Sequence, residues 1–204
     1  MSHLKVGDTL DCLGPLGTSF DMNRDHIVGI GGGVGIAPIL FMARASREGQ
    51  MTVVIGGRNK EEVFWKDLFP KKIRQIIVTT DDGSYGQKGL VTEALKQLLD
   101  EGNQYDEIFA IGPMVMMKFV CKTTEPYGIP TTVSMSPIMI DGTGMCGGCR
   151  LTVGGETRFA CVDGPDFDGH KVDWDLAVKR NQMYHDFEVH KHEEVCNLFK
   201  QEVK

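Results

Sequence analysis

An α/β fold with a five-stranded parallel sheet is what this sequence predicts, and three observations predict it. Short apolar runs recur between residues 26 and 135, each followed by a helix-compatible stretch. That alternation marks βαβ units. Glycine-rich turns close the runs at 31–35, 56–57 and 112, at the strand ends where such sheets bind ligands. After residue 135 the chain becomes glycine-rich and carries Cys146, Cys149 and Cys161, which predicts a small C-terminal β-hairpin subdomain.

The elements follow in order. Residues 6–13 read as one strand, closed by a turn at 14–17. One strand is not independently stable, so residues 1–20 are expected to be the remnant of a domain that is otherwise missing. Residues 26–30 form the first sheet strand. A helix follows from about Ala37, with Pro38 in its first turn, where a missing N–H costs little. Residues 51–55 are the second strand, ending at Gly56-Gly57-Arg58, and 61–68 a short helix. Residues 73–79 are the third strand, 81–89 a loop and 90–99 a helix. Residues 107–111 are the fourth strand; Gly112-Pro113 opens a helix to about Thr124; 131–135 are the fifth strand. Strands at 150–153 and 157–160 turn at Val153-Gly-Gly-Glu156, bringing Cys161 back towards Cys149. Residues 173–187 read as a helix, and the tail to Lys204 is polar. The expected division is 1–20, a nucleotide-binding domain at 21–135, a metal-binding subdomain at 136–170, and a helix with tail at 171–204.

Composition narrows the function. The chain has 204 residues, 41% hydrophobic and 25% charged, enough for a packed core. A formal net charge of −6 without a basic cluster argues against a nucleic-acid partner. No apolar stretch is long enough to span a bilayer, and no signal-peptide pattern opens the chain. A cytoplasmic, reducing setting is therefore expected, in which a tight C-x2-C reads as metal-binding or redox-active.

Two motifs carry chemistry. Gly31-Gly32-Gly33-Val34-Gly35 follows a strand and opens a helix, the arrangement in which backbone amides and a helix N-terminus receive a pyrophosphate. The G-x-G-x-x-G spacing is not met, and Gly56-Gly57-Arg58 replaces the acidic residue that usually ends the second strand. Arg58 meets either a ribose or 2′-phosphate, or a carboxylate of Glu61 or Glu62. The second motif is D-x4-C-x2-C-x11-C, from Asp141 through Cys146 and Cys149 to Cys161. It is the plant-type C-x4-C-x2-C…C spacing of a [2Fe–2S] centre with aspartate in the first place. Gly142, Gly144, Gly147 and Gly148 leave little side chain there to form a core. Zinc held by three cysteines and an aspartate is the competing metal, although structural zinc prefers other donor sets. No catalytic acid, base or nucleophile is assigned. Cys12, Cys121 and Cys196 are read as isolated thiols, His185, His190 and His192 as surface histidines, and Trp65 and Trp174 as packing residues.

In order along the chain, G-G-G-V-G-I-A-P, Gly57-Arg58, the loop containing Asp82, and Gly112-Pro113-x-x-Met116 resemble the ferredoxin–NADP reductase family. Members with a C-terminal cluster resemble this chain best: dihydroorotate dehydrogenase electron-transfer subunits and small subunits of NADH-dependent reduced ferredoxin:NADP oxidoreductases. The resemblance covers about residues 4–175. It implies binding of NAD(H) or NADP(H) by Gly31–Gly35, Gly57, Arg58, Asp82, Gly112, Pro113 and Met116. It also implies a [2Fe–2S] cluster on Asp141, Cys146, Cys149 and Cys161, and FAD. The family's flavin signature, Arg-x-Tyr/Phe-Ser/Thr, is not in this sequence, so FAD is expected to need the missing N-terminal domain. The resemblance further implies a larger partner subunit with its own flavin and iron–sulfur clusters, and ferredoxin as a redox partner. Aspartate at position 141 resembles the ferredoxin:NADP type; the dihydroorotate dehydrogenase subunit and a redox-inactive, zinc-stabilised nucleotide-binding module are the alternatives.

Overall fold

The computed structural model describes residues 4–195, with the side chains of 192–195 left aside. Its centre is a parallel sheet. Ile27–Gly32 (β1) lies between Met51–Gly57 (β2) and Glu107–Ile111 (β5), parallel to both. Gln75–Thr80 (β3) and Gln87–Lys88 (β4) extend the β2 side, and Thr131–Ser134 (β6) the β5 side. The five expected strands are present, and the sheet is larger than expected. β4 adds one parallel edge and Asp166–Asp168 (β9) adds an antiparallel edge on β6, giving the order β4-β3-β2-β1-β5-β6-β9. Edge strands of two and three residues carry no apolar run that a sequence could betray.

Both faces are covered, as a parallel sheet requires. Alternating residues of β1 point to opposite sides. Ile27 packs with Ile39 and Met42 of Ile36–Ala45 (α1) and with Val53 and Phe109. Val28 and Ile30 pack with Leu95 of Val91–Asp100 (α2) and Met117 of Met114–Thr124 (α3). Most of these side chains are wholly buried. In α2 the Glu93 carboxylate accepts from the Leu90 N–H at 2.9 Å, satisfying a first-turn donor.

Beyond β6 the chain forms a loop over 135–149, then the hairpin Arg150–Val153 (β7) and Glu156–Phe159 (β8). Trp174–Asn181 (α4) lies against β7 through buried Ala177. Its first turn is capped by Asp173, which accepts from the Leu176 N–H at 3.0 Å. His185–Val195 (α5) follows.

Three local expectations are corrected. Residues 61–68 are two separate 3-10 turns, Lys60–Glu62 and Lys66–Leu68. Trp65 sits between them at φ 61°, a left-handed conformation that interrupts a helix. The expected helix over 173–187 stops at Asn181 and restarts at His185. Residues 6–13 form no strand, because no ladder partner lies beside them among the described residues. Trp174 packs as expected, donating from Nε1 to the Gly169 carbonyl at 2.9 Å; Trp65 is half exposed. Cys12 is exposed and Cys121 buried, with burial pushing the Cys121 thiol up to about 12. His185 and His190 are exposed. Cys196 and the His192 side chain lie outside the described residues.

Candidate functional site

The carboxyl ends of β1, β2, β3 and β5 open onto one cavity of about 710 Å³. Its floor is made by two turns pressed together. Gly35, in the turn after β1, lies so close to β5 that an added Cβ would stand 1.9 Å from the Ile111 carbonyl oxygen. Gly33 has φ +54° and open space beside it, so it presents bare backbone towards the cavity that it lines. The helices α1 and α3 both begin here without a side-chain cap and without an acidic residue in the first turn. Their positive dipole ends are suited to a phosphate.

The rim is asymmetric. On the β2 side stand Gly57, Arg58, Glu62, Thr79 and Asp81; on the α2 and α3 side stand Leu90, Val91, Val115, Met116 and Phe119. Of the sequence-predicted nucleotide residues, Gly32, Gly33, Gly57, Arg58, Pro113 and Met116 line the cavity. Gly31, Gly35 and Gly112 lie behind it as packing positions, and Val34 points outward at 83% exposure. Asp82 is turned away from the cavity; it accepts from the Ser84 N–H at 2.8 Å and the Ser84 hydroxyl at 2.6 Å. Its neighbour Asp81 lines the cavity instead, because the Asp81 and Asp82 N–H groups bond the Gly57 and Arg58 carbonyls at 3.2 Å. Sequence reasoning missed Asp81, Thr79 and the apolar wall; Glu62 entered it only as a salt-bridge partner of Arg58.

The second site lies on the 135–149 loop and the β7–β8 hairpin. Arg150 pairs with Phe159 in that hairpin, so Cys149 and Cys161 stand at its open end. Their sulfurs are 3.3 Å apart, both side chains are buried, and the thiols are free. Cys149 and burial push the Cys161 thiol up. Two thiols this close are a little nearer than the ~3.8 Å edge of a tetrahedron with metal–sulfur bonds of about 2.3 Å. The other two donors, Asp141 and Cys146, lie close enough to interact electrostatically, and the Asp141 carboxylate accepts from the Thr143 N–H at 2.8 Å. The Thr143 N–H, with help from Cys146, holds Asp141 below the usual carboxylate range. The Gly148 N–H points at the Cys146 sulfur at 3.4 Å. Gly142, Gly144 and Gly147 all carry positive φ and let the loop coil tightly.

This donor set fits a dinuclear cluster. Among the described residues, no three His, Cys, Asp or Glu side chains converge as a ligand set for one ion. A tetrahedral zinc needs four donors around one point, whereas a [2Fe–2S] centre takes two protein donors at each iron. The donors here stand as two pairs.

The family model described as the oxidoreductase NAD-binding domain matches residues 30–122. The iron-sulfur cluster binding domain of dihydroorotate dehydrogenase B matches residues 136–173, the segment holding both donor pairs. The chain is 46% identical over 192 residues to the dihydroorotate dehydrogenase B (NAD(+)) electron transfer subunit homolog of Thermotoga maritima, covering 92% of this chain and 67% of that protein. It belongs to the family of dihydroorotate dehydrogenase B electron-transfer subunits and their homologues.

Within this family the chain is also 40% identical, over 174 residues, to the probable dihydroorotate dehydrogenase B (NAD(+)) electron transfer subunit of Methanocaldococcus jannaschii. That match covers 84% of this chain and 66% of that protein. The chain spans about two thirds of the length of the curated relatives it matches. Among solved structures, a chain of the NADH-dependent reduced ferredoxin-NADP oxidoreductase, described for flavin-based electron bifurcation, superposes with a TM-score of 0.82. It is 43% identical, over 94% of this chain and 70% of that one. The fold is therefore of the ferredoxin-reductase type, with an NAD-binding domain followed by an iron–sulfur-binding segment. Among the described residues, no helix is long and apolar enough to cross a membrane.

Proposed function

We propose that this chain is the nucleotide- and cluster-binding part of a flavin-dependent electron-transfer subunit of the NADH-dependent reduced ferredoxin:NADP oxidoreductase type. The observation that carries the reading is the pairing of Asp141 with Cys146 and of Cys149 with Cys161, in the same chain as a glycine-floored cavity with two uncapped helix ends. In this reading the cavity takes a pyridine nucleotide. Gly32 and Gly33 give backbone access to its pyrophosphate, Gly57 and Arg58 flank the adenosine ribose, and Pro113 and Met116 border the nicotinamide. Gly31, Gly35 and Gly112 hold the two turns together from behind.

Asp141, Cys146, Cys149 and Cys161 would hold a [2Fe–2S] cluster, which when bound carries one electron at a time. The loop amides, with Gly148 already aimed at sulfur, stabilise negative charge at that site. Its surroundings suit a docking partner: Ile140 and Met145 stand 72% and 85% exposed beside the donors, and exposed apolar groups of this kind mark contact surfaces. The partner is a larger flavin and iron–sulfur subunit, with ferredoxin as a further redox partner and the cytoplasm as the setting. FAD belongs to the reading through the family likeness. The division into 21–135 for nucleotide, 136–170 for cluster and 171–204 for helix and tail is part of the same proposal. The dihydroorotate dehydrogenase subunit remains the second reading, favoured by the names of the curated relatives; Asp141 in place of a cysteine argues for the first.

Anaerobic reconstitution of the purified chain with iron and sulfide tests the proposal. A red-brown product with about two irons and two sulfides per chain supports it. A colourless protein that retains zinc, and takes up no sulfide, would replace it with a zinc-stabilised binding module.

A further inference from the structure

The end of β2 holds two residues with opposite consequences for a nucleotide. An arginine at this position of a dinucleotide fold accommodates a 2′-phosphate, whereas a carboxylate accepts the hydrogen bonds of a free ribose diol. Here both are present, and the geometry decides between them. Glu62 Oε1 accepts from Arg58 Nε at 2.7 Å and contacts Nη2 as well, while Oε2 accepts from the Arg58 backbone N–H at 3.0 Å. The guanidinium is thus bound by a carboxylate of its own turn. The same contact holds Arg58 above its usual range and Glu62 below it. Asp81 adds a second carboxylate to the rim, fixed beside Gly57 by its backbone N–H. Among the described residues lining the cavity, Arg58 is the one cation, against Glu62 and Asp81. That end therefore carries a net charge of −1, from one cation and two carboxylates.

A 2′-phosphate brings close to two negative charges. To engage the Nε edge of Arg58 it must displace Glu62, and at the remaining guanidinium N–H groups it still meets the Glu62 and Asp81 carboxylates of the rim. A ribose diol meets no such cost and offers two donors to the same oxygens. We propose that Glu62, by occupying Arg58, makes this cavity select NADH over NADPH, and that releasing Arg58 from Glu62 opens it to NADPH. The inference rests on the nucleotide reading of the cavity.

Direct calorimetric titration of the purified chain with NADH and with NADPH tests it without any turnover. The wild type is expected to bind NADH at least about tenfold more tightly than NADPH, a difference of about 1.4 kcal/mol. Glu62→Gln keeps the shape and removes the charge. It is expected to raise NADPH affinity about tenfold or more and to shift the ratio of NADPH to NADH affinity in the same direction. Adding Arg58→Ala to Glu62→Gln should abolish that gain, which a merely structural effect of Glu62 would not produce. Equal wild-type affinities, or a Glu62→Gln chain that gains nothing for NADPH, would overturn the assignment of Glu62 and leave the cavity a nucleotide site. Binding of neither nucleotide by a chain with a native circular-dichroism spectrum would overturn the nucleotide reading and the inference with it.

Discussion

Cys149 and Cys161 are twelve residues apart in the chain, yet their sulfurs lie 3.3 Å from each other at the open end of one hairpin. Both are buried, and Cys149 raises the cost of ionising Cys161. A cation between them reverses that cost, since thiolates are the form that ligates iron.

Cys149→Ser and Cys161→Ser are accordingly expected to abolish cluster loading while the nucleotide cavity, built from β1, β2 and β5, stays intact. Iron and sulfide analysis after reconstitution checks the first part, and NADH titration of the same samples checks the second. Full loading of either variant would contradict the ligand assignment.

In the proposed cluster site Asp141 would supply an oxygen donor in a place otherwise suited to sulfur. A harder donor favours the ferric state. Asp141→Cys should therefore retain the cluster with a higher reduction potential, and Asp141→Ala should lower its occupancy. A spectroelectrochemical titration of the three proteins reads both effects; equal potentials and equal iron contents would show that Asp141 is not a ligand.

Gly35 is held against the Ile111 carbonyl, with 1.9 Å available to a Cβ. Gly35→Ala must push the β1 and β5 turns apart, at a cost of about 1–3 kcal/mol. The expected fall in Tm is about 2–4 °C for each kcal/mol lost, accompanied by weaker NADH binding. Calorimetry showing wild-type stability would mean that the turns are less tightly joined than described.

Asp166 on β9 has one buried carboxylate oxygen without a hydrogen-bond partner, and burial holds its carboxyl above the usual range. The sign follows from linkage. A raised pKa means that the folded protein holds this proton more tightly than the unfolded chain. Stability is then greatest below the unfolded value of about 3.9, and it falls as pH rises through the folded value. Asp166→Asn removes the ionised form, so at neutral pH it should stabilise the fold by about 1 kcal/mol, the low end for an unsatisfied buried group that is only partly enclosed. Thermal melts at pH 7 and pH 4 check this: the gain should shrink at the lower pH, and a gain equal at both would point to a different cause.

Much of this architecture was legible in the residues, for physical reasons that also explain the gaps. The buried strands announce themselves as apolar runs because both sheet faces are covered, and the βα turns as glycines because two turns pack together there. The edge strands β4 and β9 are too short and too polar to show such a signal. The helix expected over 61–68 failed at Trp65, whose left-handed backbone no propensity foretells. The candidate donors stand out by their spacing and by the family resemblance, but the approach of Cys149 to Cys161 required the hairpin. The exchange of Asp82 for Asp81 at the cavity came from backbone hydrogen bonds to Gly57 and Arg58, which adjacent identical side chains cannot reveal.

Mössbauer spectroscopy of the chain reconstituted with isotopically enriched iron tests the central claim most directly, because it separates irons by their donors. Two inequivalent iron sites of equal area are expected, one with the Cys149 and Cys161 thiolates and one with Cys146 and the Asp141 oxygen; in Asp141→Cys the second should come to resemble the first. A single class of iron, or two sites that Asp141→Cys leaves unchanged, would contradict a [2Fe–2S] cluster held by these two pairs.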